Sequence, residues 1–537
     1  MHHRVYGAPV GAITYFVALL ASMGGFLFGW DTGQIADLTI MTDYVNRFAQ
    51  TNAQGEKEWN SWILGLVVGL LSIGAIFGSF CGSPVAERYG RRMGIVTGCI
   101  VFLVGIIIQV ASQTSWVQMG IGRLITGVAV GWLSASVPVY QSETVRGALV
   151  GTYQLFITIG ILLSYVTCYG TRNYTTSAGL PSTAQWRVPI GLGFAWALIL
   201  IIGILFCPES PRWLARKGRY DEARRTLSIM RGVGPDDLFV ANEFYEIKQE
   251  TAEELKHADR GWLACFSPHE MALYRTLLGI FLQMGQQLTG ANYFFYYGAT
   301  IFKSVGLKGE RGSYITQIIL GAVNTGTTFP GLWAMDRFGR RTVLLVGAAW
   351  MMLWLIVFAT AGTAGNSETS SIGTLMIVSA CLYILAFAST WGPGVWTCIA
   401  EFSVPETRTK QFALATSSNW IWNFCIGFFT PPITDNIQFK YGYVFVGCLA
   451  MNFVVVYFFL YESANLTLES VNAMYLDDAV RPWNSAKWIP PGYSDRREVS
   501  DVVKKDIREA GLAGMVPDPD APSKDTDNVR VDHGDLA

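Results

Sequence analysis

Residues 283–298 read QMGQQLTGANYFFYYG and lie inside an apolar run, residues 277–302, that is long enough to cross a bilayer as a helix. The run nevertheless contains three glutamines, one asparagine and three tyrosines. A polar group facing lipid costs on the order of several kcal/mol. We therefore expect these side chains to face protein or a water-filled cavity.

The helical repeat separates these polar residues into two sets. Gln283, Gln286 and Gln287 share one face, whereas Asn292 and Tyr296 point to nearly the opposite face. A helix unwound near the glycine at position 290 would turn both sets toward one cavity, as in discontinuous transporter helices. Uncharged amides offer donors and acceptors together, which suits a solute covered with hydroxyls, such as a sugar. The alternative is that the amides only hydrogen-bond neighbouring helices to each other.

The composition is typical of a polytopic membrane protein. Of 537 residues, 51% are hydrophobic and 15% are charged, and the mean hydropathy is +0.32. The net charge of −1 gives no indication of a nucleic-acid partner. The nine cysteines are scattered without metal-ligand spacing, and no nucleophile–base constellation stands out. We expect neither a cofactor, nor a metal, nor an enzyme.

Twelve apolar stretches are long enough to span a bilayer, so we predict an all-α membrane protein. Their approximate bounds are 11–31, 62–83, 94–112, 117–141, 148–170, 188–207, 274–302, 314–335, 342–362, 373–399, 411–437 and 442–461. Lysine and arginine cluster in alternate loops, which predicts that both termini are cytoplasmic. A glycosylation sequon at Asn173 lies on the other side.

The two halves of the chain repeat each other. GSPVAERYGRR at 82–92 recurs as LWAMDRFGRR at 332–341, and PESPRW at 208–213 recurs as YESANL at 461–466. Such parallel repeats are typical of two pseudo-symmetric bundles that rock about a central site. We expect an N-terminal six-helix bundle (1–207), a cytoplasmic helical linker (208–270), a C-terminal six-helix bundle (271–463) and a partly disordered cytoplasmic tail (464–537).

Charged residues recur at the cytoplasmic ends of both halves. We expect them to form gates that lock the two bundles together on one side, the alternative being that they only set topology. The set comprises Glu87, Arg88, Arg92, Glu143, Arg146, Glu209 and Arg212 in the first half, and Asp336, Arg340, Arg341, Glu401, Arg408 and Glu462 in the second.

Asp31 ends the first predicted span and Arg123 lies in the fourth. An ionisable residue in a membrane segment indicates a functional site by default. Asp31 could bind a proton when Arg123 disengages, and the alternative is a permanent structural ion pair.

In combination, the motifs FGWDTGQI, ERYGRR, GRLITGVAVGWLSASVPVY, PESPRW, QQLTGANYFFYYG, DRFGRR and SNWIWNF resemble those of sugar porters of the major facilitator superfamily, especially fungal hexose transporters. The resemblance covers about residues 11–470. It implies a sugar-binding set of Phe28, Gln154, Gln286, Gln287, Asn292, Asn324, Gly392, Trp396, Asn419, Trp420 and Asn423. It also implies an outer gate at Tyr296 and Tyr297, and a proton-coupling pair of Asp31 with Arg123.

The sequence departs from the family pattern in three places. Glu87 replaces an aspartate, and YESANLTLE at 461–469 replaces PETKGLTLE. After the fourth span, the usual E-x-x-P-x-x-x-R-G is shortened to ETVRG at 143–147, which removes about one helical turn. We expect restoration of four residues there to raise activity.

The sequence thus predicts a multi-pass plasma-membrane transporter of glucose and related hexoses that works by alternating access and proton symport. Its partners would be the hexose, protons and the lipid bilayer. The alternatives are facilitated hexose diffusion, transport of a pentose, disaccharide, inositol or quinate, and a non-transporting sugar sensor.

Overall fold

The computed structural model of the chain describes residues 12–144, 152–237, 261–303, 310–364, 370–466 and 468–490, with short stretches at 3–5, 8–10, 495–496 and within 240–251. The shortened segment after Thr144 and most of the C-terminal tail lie outside this part of the chain. Two short antiparallel hairpins pair His3–Val5 with Ala8–Val10, and Gln50–Thr51 with Lys57–Glu58. Helices make up the rest of the architecture.

Nine helices with complete bounds lie in the described part of the first half and its linker. In chain order they are α1 (Ala12–Leu38), α2 (Thr42–Phe48), α3 (Ser61–Tyr89), α4 (Arg91–Val110), α5 (Trp116–Thr144), α6 (Thr152–Thr171), α7 (Ala184–Phe206), α8 (Pro211–Arg216) and α9 (Tyr220–Arg231). The last two are short and polar, in keeping with the helical linker that the sequence predicts, and further helical residues occur within 240–251.

The helices of the second half follow a short 3₁₀ turn at Trp262–Phe266. They are α10 (Ala272–Leu288), α11 (Ala291–Lys303), α12 (Glu310–Phe338), α13 (Arg340–Ala364), α14 (Ser370–Ala386), α15 (Gly392–Phe402), α16 (Arg408–Ile437), α17 (Tyr441–Phe459) and α18 (Leu468–Leu476). A π-helical turn at Phe387–Trp391 joins α14 to α15.

Every predicted span coincides with a helix or with a pair of helices. Within the described residues, nine helical stretches are long and apolar enough to cross a membrane, and one of them joins α16 to α17. The two predicted spans outside those nine are the broken α10–α11 pair and the polar α12.

The predicted end of the first span at residue 31 is wrong, because α1 continues to Leu38. The polar residues Asp31, Gln34 and Asp37 suggest an end, but all three are buried inside the bundle. Backbone hydrogen bonds within a helix satisfy the main chain without solvent, so packing can extend a helix through polar residues.

The buried apolar side chains form two large clusters. One gathers residues of α1 to α7, together with a few from the second half, and the other gathers mainly residues of α10 to α18. The clusters meet where α3 lies against α16, and there Gly65 lies so close that a Cβ would sit 2.1 Å from the Phe428 carbonyl oxygen. Only a glycine permits this approach.

The helix ends define two sides of the molecule. We call the side that carries Gly90 and Gly339 the arginine-rich end, and the side that carries the exposed Asn173 the opposite end. At the opposite end Ser61 of α3 donates a hydrogen bond to Asp435 of α16, which joins the two halves.

Candidate functional site

The central helix is broken at the position that its polar pattern predicts. α10 ends at Leu288 and α11 begins at Ala291, with Gly290 between them at φ +92°. A residue with a Cβ rarely adopts this conformation. The break turns Asn292 toward the preceding helix, where its Nδ2 donates to Gln287 Oε1.

Asn419 of α16 is the centre of the amide cluster. Its Nδ2 donates to Gln283 Oε1 (2.6 Å) and to Gln286 Oε1 (2.7 Å), and its Oδ1 accepts from Gln287 Nε2 (2.9 Å). All the amides of α10 therefore converge on one residue of a neighbouring helix. Of these four residues, Gln287 is half-buried and the others are buried.

Gln286 also binds the backbone at the start of α15. Its Nε2 donates to the carbonyl oxygens of Trp391 (3.0 Å) and Gly392 (2.8 Å). The regular helical ladder is interrupted there by the π turn and by Pro393, which has no N–H. Gln286 thus has an interhelical role, as the alternative interpretation of the amides expects, and so does Gln283.

A second polar group lies one helical turn along α16. Asn423 Oδ1 accepts from the Tyr296 hydroxyl (2.8 Å) and from Ser72 Oγ of α3 (2.6 Å). Asn423 Nδ2 lies 3.5 Å from Gln287 Oε1, and the Tyr297 hydroxyl donates to the Gly427 carbonyl. The predicted outer-gate tyrosines are therefore both anchored to α16.

Aromatic residues flank the amide cluster. Phe28 of α1 packs against Trp420 of α16, with ring centroids 5.4 Å apart. Trp396 is half-buried and packs against Phe412, with centroids 5.8 Å apart. The structure thus brings Phe28 and Trp420 together, and places Trp396 against an apolar neighbour.

Two further amides of the predicted sugar-binding set lie on α6 and α12. Gln154 of α6 is half-buried, and Asn324 of α12 is buried. Asn292 is half-buried as well. Gln154 and Asn292 stand in the first turns of α6 and α11, and each keeps part of its surface exposed.

Asp31 and Arg123 are both fully buried and both described, but they are not ion-paired. Asp31 Oδ1 accepts from Gln34 Nε2 (2.9 Å), and Oδ2 lies 3.5 Å from Thr126 Oγ1. Arg123 Nε instead donates to the Val67 carbonyl (2.9 Å). The permanent ion pair, considered as the structural alternative, is therefore not the arrangement in this conformation.

At the arginine-rich end of the first half, Arg91 binds two acidic residues. Its side chain forms an ion pair with Glu143, Nη2 to Oε1 at 3.0 Å, and its backbone N–H donates to Glu209 Oε1 (2.9 Å). Ser210 Oγ donates to Glu143 Oε2 (2.6 Å). Gly90, at φ +108°, lets the Glu209 carboxylate approach the start of α4.

The second half repeats this arrangement group by group. Arg340 Nη2 pairs with Glu401 Oε1 at 3.0 Å, and the Arg340 backbone N–H donates to Glu462 Oε1 (2.9 Å). Ser463 Oγ donates to Glu401 Oε2 (2.6 Å). Gly339, at φ +90°, corresponds to Gly90. These hydrogen bonds join helices of one half to each other, whereas the sequence led us to expect bonds between the halves.

Arg91 was missing from the set of gating residues predicted from the sequence. The repeat could have identified it, since Arg91 corresponds to Arg340. Glu87 and Arg88 are exposed. Arg92 Nη2 donates to the Leu205 carbonyl oxygen (2.9 Å). Arg341 likewise donates to the Tyr457 carbonyl (2.8 Å).

Two members of the predicted set lie outside what the structure describes, namely Arg146 and the Asp336 side chain. Arg212 and Arg408 are described and have interaction partners. Burial raises the pKa of Glu209 above its usual range, while the backbone N–H groups of Ser210, Arg92 and Arg91 act in the opposite direction. These N–H groups stabilise a carboxylate that the surrounding protein would otherwise disfavour.

Two repeated helical halves, a broken central helix and an amide cluster at the break define the class of protein: a transporter with the major facilitator fold. The proton:xylose symporter XylE bound to 6-bromo-6-deoxy-D-glucose superposes with a TM-score of 0.73 at 24% identity, over 86% of this chain and 99% of that one. The partially occluded inward open conformation of XylE from E. coli gives a TM-score of 0.71 at 22% identity, over 84% of this chain and 99% of that one.

The chain belongs to the sugar (and other) transporter family, whose sequence model matches residues 17–475. It is 41% identical to the low-affinity glucose transporter HXT3 of Saccharomyces cerevisiae over 499 residues, which is 91% of this chain and 86% of that protein. It is 43% identical to the low-affinity glucose transporter of Kluyveromyces lactis, over 91% of this chain and 88% of that protein. The chain is therefore a multi-pass membrane transporter and not an enzyme.

Proposed function

We propose that this protein carries glucose and related hexoses across the plasma membrane, with both termini in the cytoplasm. The observation that carries the proposal is the convergence of Gln287, Asn292 and Asn423 beside Asn419 at the break of the central helix. Relatives at about 42% identity are named as glucose or hexose transporters, which supports a hexose as the substrate.

The amides divide into two roles. Gln283 and Gln286 are buried, and they join α10 to α15 and α16, which fixes the geometry of the site. Gln287, Asn292 and Gln154 are half-buried, so they can exchange water for sugar hydroxyls. Asn324 and the Phe28–Trp420 pair complete the proposed site, with Trp396 and Gly392 at its α15 side. Such a site binds with modest free energy, because tight binding would prevent release.

We further propose that residues 1–207 and 271–463 act as two bundles, with 208–270 as a linker and 464–537 as a tail, and that they alternate access to the site. Two separate hydrophobic clusters support two bodies. Hydrogen bonds between the halves lie near the site and toward the opposite end, from Ser61 to Asp435 and from Ser72 to Asn423. These contacts support a conformation that is closed at the opposite end.

The charge clusters around Arg91 and Arg340 then act within each bundle. Each ties the start of one helix to two others, so that the bundle moves as a rigid body. In this proposal the two clusters position the gating residues by keeping each bundle rigid. They need no bond between the halves to do so.

Energy coupling is proposed to be proton symport through Asp31, with Arg123 as the cation that is engaged in other conformations. Support comes from the burial of both residues and from the present separation of their charges. Facilitated diffusion is the second candidate, because the names of the yeast relatives give a sugar and mention no coupled proton.

The decisive experiment measures uptake of labelled glucose in transporter-null yeast, with and without a protonophore. If the protein transports hexoses, uptake of labelled glucose is saturable and unlabelled glucose reduces it. Absence of uptake at normal surface expression would contradict hexose transport and would be the result expected of a non-transporting sugar sensor. Symport predicts that the protonophore lowers initial uptake at acid pH. Initial uptake that the protonophore leaves unaltered would establish facilitated diffusion. Competition of labelled-glucose uptake by pentoses, disaccharides, inositol or quinate would decide among the candidate substrates.

A further inference from the structure

The last turn of α1 contains a second buried carboxyl that the proposed site does not use. Asp37 is fully buried, and neither of its carboxylate oxygens has a hydrogen-bond partner in the part of the chain that the structure describes. Burying an unpaired carboxylate costs several kcal/mol as an order-of-magnitude estimate, and such a group normally binds a proton instead. Asp37 therefore carries a proton in this conformation, or binds water.

Among the residues that the structure describes, the groups around Asp37 supply no compensating positive charge. From α6, Tyr165 and Cys168 lie within electrostatic range of Asp37, and the Tyr165 hydroxyl donates to the Phe295 carbonyl of α11 (3.3 Å). From α5, Arg123 interacts electrostatically with Asp31.

The other helices packed near α1 present groups that are already engaged or uncharged. In α2, Asp43 pairs with Arg47 and accepts from Trp186 Nε1 of α7 (2.9 Å). The Tyr44 hydroxyl of α2 is buried without a partner. In α11, the hydroxyls of Tyr296 and Tyr297 both donate to α16.

Gln34 lies between the two carboxyls along α1 and is hydrogen-bonded to one of them. Asp31, Gln34 and Asp37 stand three residues apart along α1, a spacing that places neighbouring Cβ atoms about 5–6 Å from each other. Gln34 Nε2 donates to Asp31 Oδ1 (2.9 Å), while Gln34 Oε1 is buried and has no partner. A buried acceptor of this kind normally binds ordered water, which can bridge toward Asp37.

We propose that Asp37 is a second proton-binding carboxyl, located between Asp31 and the opposite end, which passes its proton to Asp31. The inference rests on the proposed symport. In the step, the O–H bond of neutral Asp37 breaks, the proton crosses a short chain of waters held by Gln34 Oε1, and a new O–H bond forms on the Asp31 carboxylate. Asp37 is left as a carboxylate and takes its next proton from a hydronium ion at the opposite end, so charge and atoms balance.

The test compares the wild type with Asp37→Asn, which keeps the shape but cannot exchange a proton, and with Asp37→Glu, which can. Sugar-driven proton influx into proteoliposomes is followed with a pH-sensitive dye, and sugar counterflow, which needs no net proton movement, is measured in parallel. We expect Asp37→Asn to slow proton influx by on the order of tenfold, with counterflow kept and with Asp37→Glu close to the wild type.

Proton influx in Asp37→Asn at the wild-type rate would overturn the proposal and leave Asp37 as a structural neutral acid. A wild type that takes up sugar without protons would overturn the symport proposal, and this one with it. Should Asp37→Asn fail to reach the membrane, Gln34→Leu removes the connecting amide, and it must slow influx in the same way while counterflow persists. Wild-type influx in Gln34→Leu would equally contradict the relay.

Discussion

Arg91 and Glu143 form a bidentate ion pair, with Nη2 3.0 Å from Oε1 and Nε 3.1 Å from Oε2, and their side chains are only 6% and 7% exposed. Arg340 and Glu401 form the corresponding pair 249 and 258 residues further along the chain. Planar, two-point pairing of this kind fixes orientation as well as distance.

Arg91→Gln should destabilise the first half by about 3 kcal/mol or more, because it leaves the buried Glu143 carboxylate without its cation. Thermal unfolding of the purified protein in detergent, together with sugar uptake, measures the effect. Arg88→Gln is the matched control, since Arg88 is exposed three residues earlier in the same motif. Equal melting temperatures for the two variants would show that the Arg91 pair contributes nothing.

Gln287→Ala and Asn292→Ala should each reduce hexose uptake on the order of tenfold or more, because each removes a pair of hydrogen-bonding groups worth about 1 kcal/mol apiece. Surface expression should persist, since both residues are half-buried. Gln54→Ala, in an exposed loop, serves as the control amide. Unchanged uptake in both variants would remove the broken helix from the site.

Gly65→Val should reduce uptake strongly by holding the two halves apart at the opposite end. A Cβ at this position would lie 2.1 Å from the Phe428 carbonyl oxygen, and neither backbone can yield without moving its helix. A cysteine at Ser61 should then react faster with a membrane-impermeant thiol reagent. Gly191→Val is the control, because a Cβ there would have no described atom of another helix within 4 Å. Wild-type labelling and uptake in Gly65→Val would contradict the observed contact.

Arg496→Ala should release the segment after α17 from the second half. The Arg496 guanidinium donates to the carbonyls of Trp488 (2.6 Å) and Glu462 (3.1 Å), so it joins that segment to the Glu462 loop. We expect a loss of about 2 kcal/mol, seen as faster cleavage of residues 468–490 by protease and a lower melting temperature. Arg481→Ala, at an exposed position, is the control. Identical cleavage of both variants would refute the role of Arg496.

Much of the site could be predicted from the sequence because polar side chains are rare inside a membrane helix. Amides and tyrosines in residues 283–298 had to face away from lipid, and Gly290 marked the place where the helix could break. The contact between Gln287 and Asn292 follows from that break.

Other features depended on which partner each group found. The sequence could not show that Gln286 bonds the carbonyls beside Pro393 while Gln287 keeps part of its surface exposed, since both residues have the same side chain. Likewise, the sequence does not distinguish Arg91 from the other two arginines near Gly90. Only the packing of α4 against α5 shows that Arg91 is the one that pairs with Glu143.

The sequence by itself determined the helical class, the positions of the apolar spans, the internal repeat and the family, because hydrophobic length and spacing are local properties of the chain. The tertiary structure decided how far α1 extends, which charges pair, and that Asp31 and Arg123 stand apart. Those outcomes depend on burial and on contacts between residues distant in the chain. Such contacts depend on which side chains of the packed helices reach the same hydrogen-bonding and ion-pairing groups.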